Sequence, residues 1–180
     1  MQTALITIIT VLAVGLIWVF NRLVAHRNRV REAWAGIDVQ LQKRHELVPN
    51  LIAVVKAYTH YESRALEKIT AIRSQKSMDP EVTGSSESSL SRSIGRLFAL
   101  AESYPDLKAN QSFSGLHQQL VDIEEDLQFA RRYYNGTVRD NNTLVESFPN
   151  MLIAGALGFQ TARFFEIEFS GMREPPRVES

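Results

Sequence analysis

The chain has 180 residues, and its 20 basic and 20 acidic side chains leave a formal net charge of zero. This balance differs from that of nucleic-acid-binding modules, which carry a basic excess, so we expect no nucleic-acid partner. The absence of cysteine excludes a disulfide framework, a thiolate nucleophile and a cysteine-bound zinc site.

The first twenty residues, Met1 to Phe20, contain no charged side chain and consist mainly of aliphatic and aromatic residues. About twenty apolar residues in a helix span a hydrocarbon layer of ~30 Å, and Trp18 lies where an indole ring can anchor among lipid headgroups. A cleaved signal peptide is the alternative, but such a peptide has a basic region before its apolar run. No Lys or Arg precedes this run, so we predict an uncleaved transmembrane anchor over residues 1–21.

The orientation of this anchor follows from the charges beside it. Arg22, Arg27, Arg29 and Arg31 follow the apolar run, and no basic side chain precedes it. The positive-inside rule keeps such a basic flank in the cytoplasm. We therefore predict a single-pass protein of the inner membrane, with its N-terminus outside and its C-terminal domain cytoplasmic.

The segment after the anchor has the apolar spacing of a bundle helix. Its apolar positions alternate in steps of four and three, which is typical of a seam between helices: Val30, Trp34, Ile37, Leu41, Val48, Leu51, Val55 and Tyr58. Arg44 occupies a seam position and would need an acidic partner or a route to water. We predict that the anchor continues directly into this helix, with a kink or short break near Pro49, and that the helix resumes to about Lys76.

The next segments are predicted from composition and from proline positions. Residues 77–89 are rich in serine, with Pro80 and Gly84, and predict a loop. A helix follows over about residues 89–104, and Pro105 ends it. In the turn after it, Asp106 and Asn110 are suited to cap neighbouring helix ends.

A long helix is predicted over about residues 113–148, because its apolar seam is nearly unbroken: Phe113, Leu116, Leu120, Ile123, Leu127, Ala130, Tyr134, Val138, Asn141, Val145 and Phe148. Residues 151–157 predict a short further helix. The aromatic segment 159–169 is expected to cover the core, although an exposed contact surface is the alternative, and residues 171–180 predict a frayed tail.

Four strings then resemble the LemA family of bacterial membrane proteins in sequence, order and spacing. They are RNRVREAWAGIDVQLQKRHELVPNL (27–51), AESYPDLKANQSF (101–113), RRYYNGTV (131–138) and GFQTARFFEI (158–167). The resemblance implies an antiparallel helical bundle carried on an N-terminal membrane helix, and it implies no defined reaction. The prediction is an all-α antiparallel bundle of about four helices, with an anchor at 1–21, a cytoplasmic domain at 22–170 and a tail at 171–180.

No motif predicts catalysis or cofactor binding. A di-metal bundle needs Glu-x-x-His pairs on facing helices, and none of the four histidines has Glu three residues before it. The carboxylate run Glu124, Glu125 and Asp126 points in three directions on a helix and predicts a solvated face. The chain also lacks a P-loop, a GxGxxG and a nucleophile elbow. We therefore expect no catalytic, cofactor-binding or metal-binding residues, no cofactor, and no enzyme activity.

Two classes of function remain. The first is a membrane-anchored scaffold of the bacterial envelope that assembles into homo-oligomers, which a neutral charge and a common membrane depth would favour. The second is an accessory or adaptor to a membrane enzyme or signalling complex, such as a membrane protease, with no assembly of its own.

Overall fold

The computed structural model describes residues 1–58 and 79–166, which form five helices: α1 (Gln2–Tyr58), α2 (Pro80–Ala101), α3 (Pro105–Lys108), α4 (Gln111–Glu146) and α5 (Asn150–Leu157). No β-strand occurs in these two ranges, and the prediction of an all-α fold is confirmed. The chain divides into two compact units. Unit 1 contains residues 1–38 and 128–164, and unit 2 contains residues 39–127 with the segment that begins at Phe165.

Helix α1 is continuous over 57 residues and runs from the predicted anchor into the bundle, as expected. The predicted break near Pro49 is wrong, because the helix passes through this residue. Proline inside a helix costs roughly 3 kcal/mol, and the buried Val48, Leu51 and Ile52 on either side offset this cost by packing into the core. The kink stays a prediction, and the expected continuation to Lys76 lies outside the described residues.

Helix α2 begins nine residues earlier than expected, so the predicted loop at 77–89 is wrong for residues 80–89. Asp79 caps the helix, since its Oδ1 accepts a hydrogen bond from the Glu81 amide at 3.0 Å, and Pro80 occupies the first turn, where its missing N–H is not needed. Three of the serines that indicated a loop, Ser85, Ser88 and Ser89, donate their hydroxyls to carbonyls of the helix backbone. Ser88, for example, donates to the Gly84 carbonyl at 2.8 Å.

The turn before the long helix contains an extra helical turn. Helix α2 ends at Ala101, and Pro105 begins α3 instead of only ending the helix before it. Asn110 caps α4 as predicted, because its Oδ1 accepts from the Phe113 amide at 3.0 Å. Asp106 is exposed, and the start of α3 has no side-chain cap.

In unit 1, α1 and α4 run antiparallel. Leu23 shares a core with Leu144 near the end of α4, whereas Trp34, farther along α1, packs on Tyr134 with ring centroids 5.3 Å apart. Helix α5 follows the predicted bounds closely and contributes the buried Ala154 to this core. It ends at Gly158, whose φ of 71° is a left-handed conformation that glycine adopts without strain.

Unit 2 has its own core and the same antiparallel order of α1 and α4. Its buried side chains come from α1, α2, α3 and the first half of α4: Val48, Leu51, Ile52, Val55, Leu90, Ile94, Leu97, Ala101, Leu107, Phe113 and Leu120. Arg44 pairs with Glu124, whereas Tyr58, at the end of α1, accepts a hydrogen bond from Asn110. The predicted helical bundle is thus confirmed, with α4 antiparallel to α1 in each unit.

The predicted seams agree with burial at most positions and fail at their ends. Leu127 and Val138 are completely buried, and Tyr134 is 3% exposed. Tyr58 and Phe148, the last residues of the two seams, are instead 43% and 78% exposed. In the aromatic segment, Phe159 and Phe165 are buried, Phe164 is 40% exposed, and the residues from 167 onward lie outside the described range.

Candidate functional site

The first candidate is the apolar start of α1. Among the described residues, α1 is the one helix long and apolar enough to cross a membrane, and almost none of its apolar stretch is buried in the protein. Thr7 and Thr10 donate their hydroxyls to the carbonyls of Thr3 and Ile6, each at 2.9 Å, so these polar groups are satisfied within the helix. This surface fits association with lipid.

Two residues mark the end of this apolar stretch. Trp18 is 60% exposed, and the Arg22 guanidinium lies 5.3 Å from the centroid of its ring. A tryptophan beside an arginine is typical of the boundary between hydrocarbon and headgroups, where an indole and a cation both find partners.

The second candidate is a buried ionic network in unit 2. Arg44, from α1, lies 3.5 Å from Glu87 Oε2 and 3.1 Å from Glu124 Oε2, and it donates to Ser91 Oγ at 2.8 Å. His45 Nε2 lies 2.7 Å from the second oxygen of Glu87. The side chains of Arg44 and Glu87 are only 5% and 4% exposed.

This network meets the requirement that the sequence sets for Arg44, which has acidic partners on two other helices. The prediction of a solvated carboxylate run is therefore wrong for Glu124, which Arg44 draws into partial burial, and holds for the exposed Glu125 and Asp126. Arg44 contacts both carboxylates, and each oxygen of the buried Glu87 carboxylate contacts another member of the network. The arrangement is therefore suited to fixing the register of three helices, since a misplaced helix would leave a buried charge unpaired.

The third candidate is a cleft in unit 1, close to the end of the apolar stretch. It has a volume of about 330 Å³, and its charged lining consists of Arg22, His26, Arg139 and Asp140. Partial burial lowers the pKa of His26 from its ordinary value, Arg29 and Arg22 lower it further, and Asp140 opposes them. The lowered pKa favours the neutral imidazole of His26, and Arg22 and Arg139 are the permanent cations of the cleft.

Unit 2 has a larger cleft of about 630 Å³ where α2, α3 and α4 meet. Phe98 forms its aromatic wall, with ring centroids 4.2 Å from His117 and 6.0 Å from Phe113. Lys108 and Glu102 add one charge of each sign. Its mixed lining is suited to an amphipathic segment of another molecule.

The segment after α5 is fixed to α4 by hydrogen bonds between α4 side chains and the backbone of the segment. The sequence did not predict these bonds. Asn142 accepts from the Ala162 amide at 2.8 Å and donates to the Ala162 carbonyl at 2.9 Å. The Tyr134 hydroxyl donates to the Arg163 carbonyl at 2.9 Å. Tyr134 was predicted as a core residue, but nothing in its spacing indicated the partner of its hydroxyl.

A metal site requires several His, Asp or Glu side chains that converge on one point. In the ranges 1–58 and 79–166, no group of three or more His, Asp or Glu side chains is placed to hold a metal ion. His26 lies in unit 1, and His45 and His117 lie in unit 2, while His60 falls outside the described residues. The absence of catalytic, cofactor-binding and metal-binding residues stays a prediction.

Comparison with known proteins places the chain in a family. Magnetosome proteins MamQ 1 and MamQ 2 of Paramagnetospirillum magneticum are each 27% identical to it over 78 residues, and MamQ of Magnetospirillum gryphiswaldense is 26% identical over 78 residues. These alignments cover 43% of this chain and 29% of each relative, so the chain matches less than a third of the relatives' length. The LemA family profile matches residues 33–179, which is most of the chain, and the protein therefore belongs to the LemA family.

Proposed function

We propose that this protein is a membrane-anchored, non-catalytic scaffold that self-assembles on the cytoplasmic face of the bacterial inner membrane. The observation that carries the proposal is the continuity of α1, in which an exposed apolar stretch and the seam of the bundle belong to one helix. Anchor and domain are thus parts of one element, so copies in the same membrane share one depth and direction. The likeness to magnetosome proteins over part of the chain and the LemA family membership are compatible with such a role.

The proposed orientation of the membrane anchor rests on the arginines that follow Phe20. A reporter that is active only in the cytoplasm, fused after Ser180, is expected to be active in intact cells. A matched fusion after Met1 is expected to be inactive. An inactive C-terminal fusion, or purified protein that lacks residues 1–20, would contradict a single-pass anchor with a cytoplasmic domain.

Self-assembly is supported by apolar side chains that the bundle leaves exposed. On α4, Phe129 is 64% and Tyr133 is 58% exposed, one helical turn apart, and on α1 Val39 is 52% exposed. Restriction to two dimensions raises the effective concentration at which such surfaces meet. The neutral net charge of the chain also limits repulsion between copies.

Because the chain has no cysteine, crosslinking can be directed to single positions. Val39→Cys and Tyr133→Cys are expected to give dimers and higher products with a thiol-specific crosslinker in native membranes at native abundance. Ile37→Cys is the matched control, since Ile37 is completely buried on the same helix. If neither exposed position gives a product above this control, the scaffold should be abandoned.

The second candidate is an adaptor to a membrane enzyme or signalling complex, and the larger cleft of unit 2 favours it. The aromatic wall at Phe98 and the charged rim at Lys108 and Glu102 suit a partner's peptide segment. Size measurement of the protein extracted in mild detergent separates the two functions. A large homogeneous particle made of this chain alone supports the scaffold, whereas a monomer supports the adaptor.

A further inference from the structure

A second apolar surface lies around α5 and the C-terminal end of α4. From Ser147 to Ala162 the chain has no charged residue. Four large apolar side chains of this stretch face solvent in the described structure: Phe148 (78% exposed), Met151 (51%), Leu152 (63%) and Leu157 (50%). These four residues are called the α5 patch. A patch of this kind on a helical protein marks a surface that contacts lipid or another protein.

The position of the α5 patch is fixed by the core beneath it. Ala154 of α5 packs with Val19 and Leu23 of α1, and the ring of Phe159 meets that of Phe20 edge-on, with centroids 5.9 Å apart. Val19 and Phe20 are the last residues of the apolar stretch of α1. The patch therefore lies beside the point where this helix changes from apolar to charged.

Cationic groups accompany the patch. Asn150, the first residue of α5, lines the same cleft as Arg22, His26 and Arg139, with Asp140 as the acidic member. No ion pair joins Arg22 or Arg139 to an acidic side chain within residues 1–58 and 79–166. Arg27 lies over the Phe159 ring, 5.0 Å from its centroid. Apolar side chains and available cations are thus adjacent, as in helices that lie at a lipid interface.

We propose that α5 is a second membrane contact: it lies at the bilayer interface, inserting the α5 patch among the acyl chains while Arg22 and Arg139 bind phosphates of anionic phospholipids. The proposal rests on the membrane anchor of the proposed function. It adds a contact that fixes unit 1 against the bilayer, because a single span alone permits the attached residues to tilt and rotate. The occupant is the lipid surface because the patch continues the apolar surface of α1 and the adjacent cations complement an anionic leaflet.

The test uses the full chain in vesicles that contain phosphatidylglycerol and a lipid with a quencher on its acyl chain. An environment-sensitive fluorophore is attached at a single cysteine in Leu152→Cys, in Ile9→Cys as the anchor control, and in Phe129→Cys as the exposed control. Ile9 is 57% exposed within the apolar stretch, and Phe129 is 64% exposed on α4. Along α4, Phe129 precedes Glu146 by roughly 25 Å, given the rise of a helix.

We expect the acyl-chain quencher to quench the label at Ile9 and at Leu152, and to leave the label at Phe129 unquenched. Loss of quenching at Ile9 would refute the anchor itself and with it the proposed function. Quenching at Ile9 without quenching at Leu152 would overturn the interfacial position of α5 and leave the anchor intact. A Leu152 label that is shielded from aqueous iodide but not reached by the lipid quencher would show that a second copy or another protein covers the patch, and would also overturn the proposal.

The phosphate contact has its own readout. In phosphatidylcholine vesicles, or after Arg22→Gln with Arg139→Gln, quenching at Leu152 is expected to decrease while quenching at Ile9 stays unchanged. Lys56→Gln is the matched control, because Lys56 is an exposed cation of α1 in unit 2. Equal quenching at Leu152 in both lipids, or in the double variant and the unsubstituted chain, would overturn the headgroup assignment.

Discussion

Replacement of Arg44 by methionine removes the cation of the buried network and keeps most of the side-chain volume. In Arg44→Met, Glu87 would be left 4% exposed with His45 as its remaining partner. The variant therefore tests whether the network contributes to the free energy of unfolding of the bundle. Lys43→Met, at an exposed neighbouring position on the same helix, is the matched control and is expected to change the free energy of unfolding by at most about 0.5 kcal/mol.

The magnitude follows from the distances. Two unit charges separated by 3.5 Å, as Arg44 and Glu87 are, attract by about 4–5 kcal/mol at an effective dielectric constant near 20. The Glu124 contact adds less, because that side chain is 30% exposed and water screens it. Loss of one partner from a buried pair typically costs about 3–5 kcal/mol. For a chain of this size we expect Tm to fall by roughly 6–20 °C.

The assay is thermal and denaturant unfolding of the full chain in mild detergent, followed by far-ultraviolet circular dichroism. The double variant Arg44→Met with Glu87→Gln is expected to be more stable than Arg44→Met alone, because it removes the stranded carboxylate. A cost below about 1 kcal/mol for Arg44→Met would contradict the reasoning, because that is the range of an exposed ion pair. The reasoning would also be contradicted if the double variant lost as much free energy of unfolding as the sum of the losses in Arg44→Met and Glu87→Gln.

Three further predictions concern other positions. Gly84→Ala is expected to destabilise the chain by about 1–3 kcal/mol, because the added Cβ would meet a backbone carbonyl. Gly95→Ala on the same helix has open space around it and should stabilise the chain by about 0.5–1 kcal/mol. Denaturant unfolding in which both variants change the free energy of unfolding in the same direction would refute this contrast. The pKa of His26 should lie below 6.5 by NMR titration and should fall further in Asp140→Asn. The contribution of His26 to stability therefore decreases as the pH drops below 6.5, because the unfolded chain then binds the proton more readily. A His26 pKa that is the same in Asp140→Asn as in the unsubstituted chain would contradict the stated balance of charges. Leu127→Ala should cost about 2–5 kcal/mol, because Leu127 is completely buried, and a loss near zero would show that this face is not core.

Periodic spacing predicted the long helices and most of their buried faces, because a seam depends only on which side chains are apolar and how far apart they lie. It failed where local chemistry competes with composition. The serine-rich start of α2 indicated a loop, but the cap at Asp79 and the proline after it form a helix start that outweighs the serines. Pro49 indicated a kink or short break, and the helix continues through it with buried residues on both sides.

The candidate sites were less predictable than the fold. The position of Arg44 in a seam predicted that an acidic partner exists, yet it could not identify Glu87, which lies in the segment assigned to the loop. The cleft beside Arg22 and the exposure of Leu152 depend on how α5 folds back on α1. Such contacts join residues far apart in sequence, and the pattern within a single segment carries no information about them.

The hydrogen bonds that fix residues 162 and 163 to α4 have a consequence for how the family can diverge. In these bonds Asn142 and Tyr134 contact main-chain atoms of the segment, so this part of the attachment does not depend on the side chain of Ala162. Substitutions at Ala162 can therefore accumulate without loss of these hydrogen bonds, whereas at position 142 only the longer glutamine could likewise both donate and accept through one amide group. Sequence variation at Ala162 is thus compatible with an unchanged path of the segment along α4.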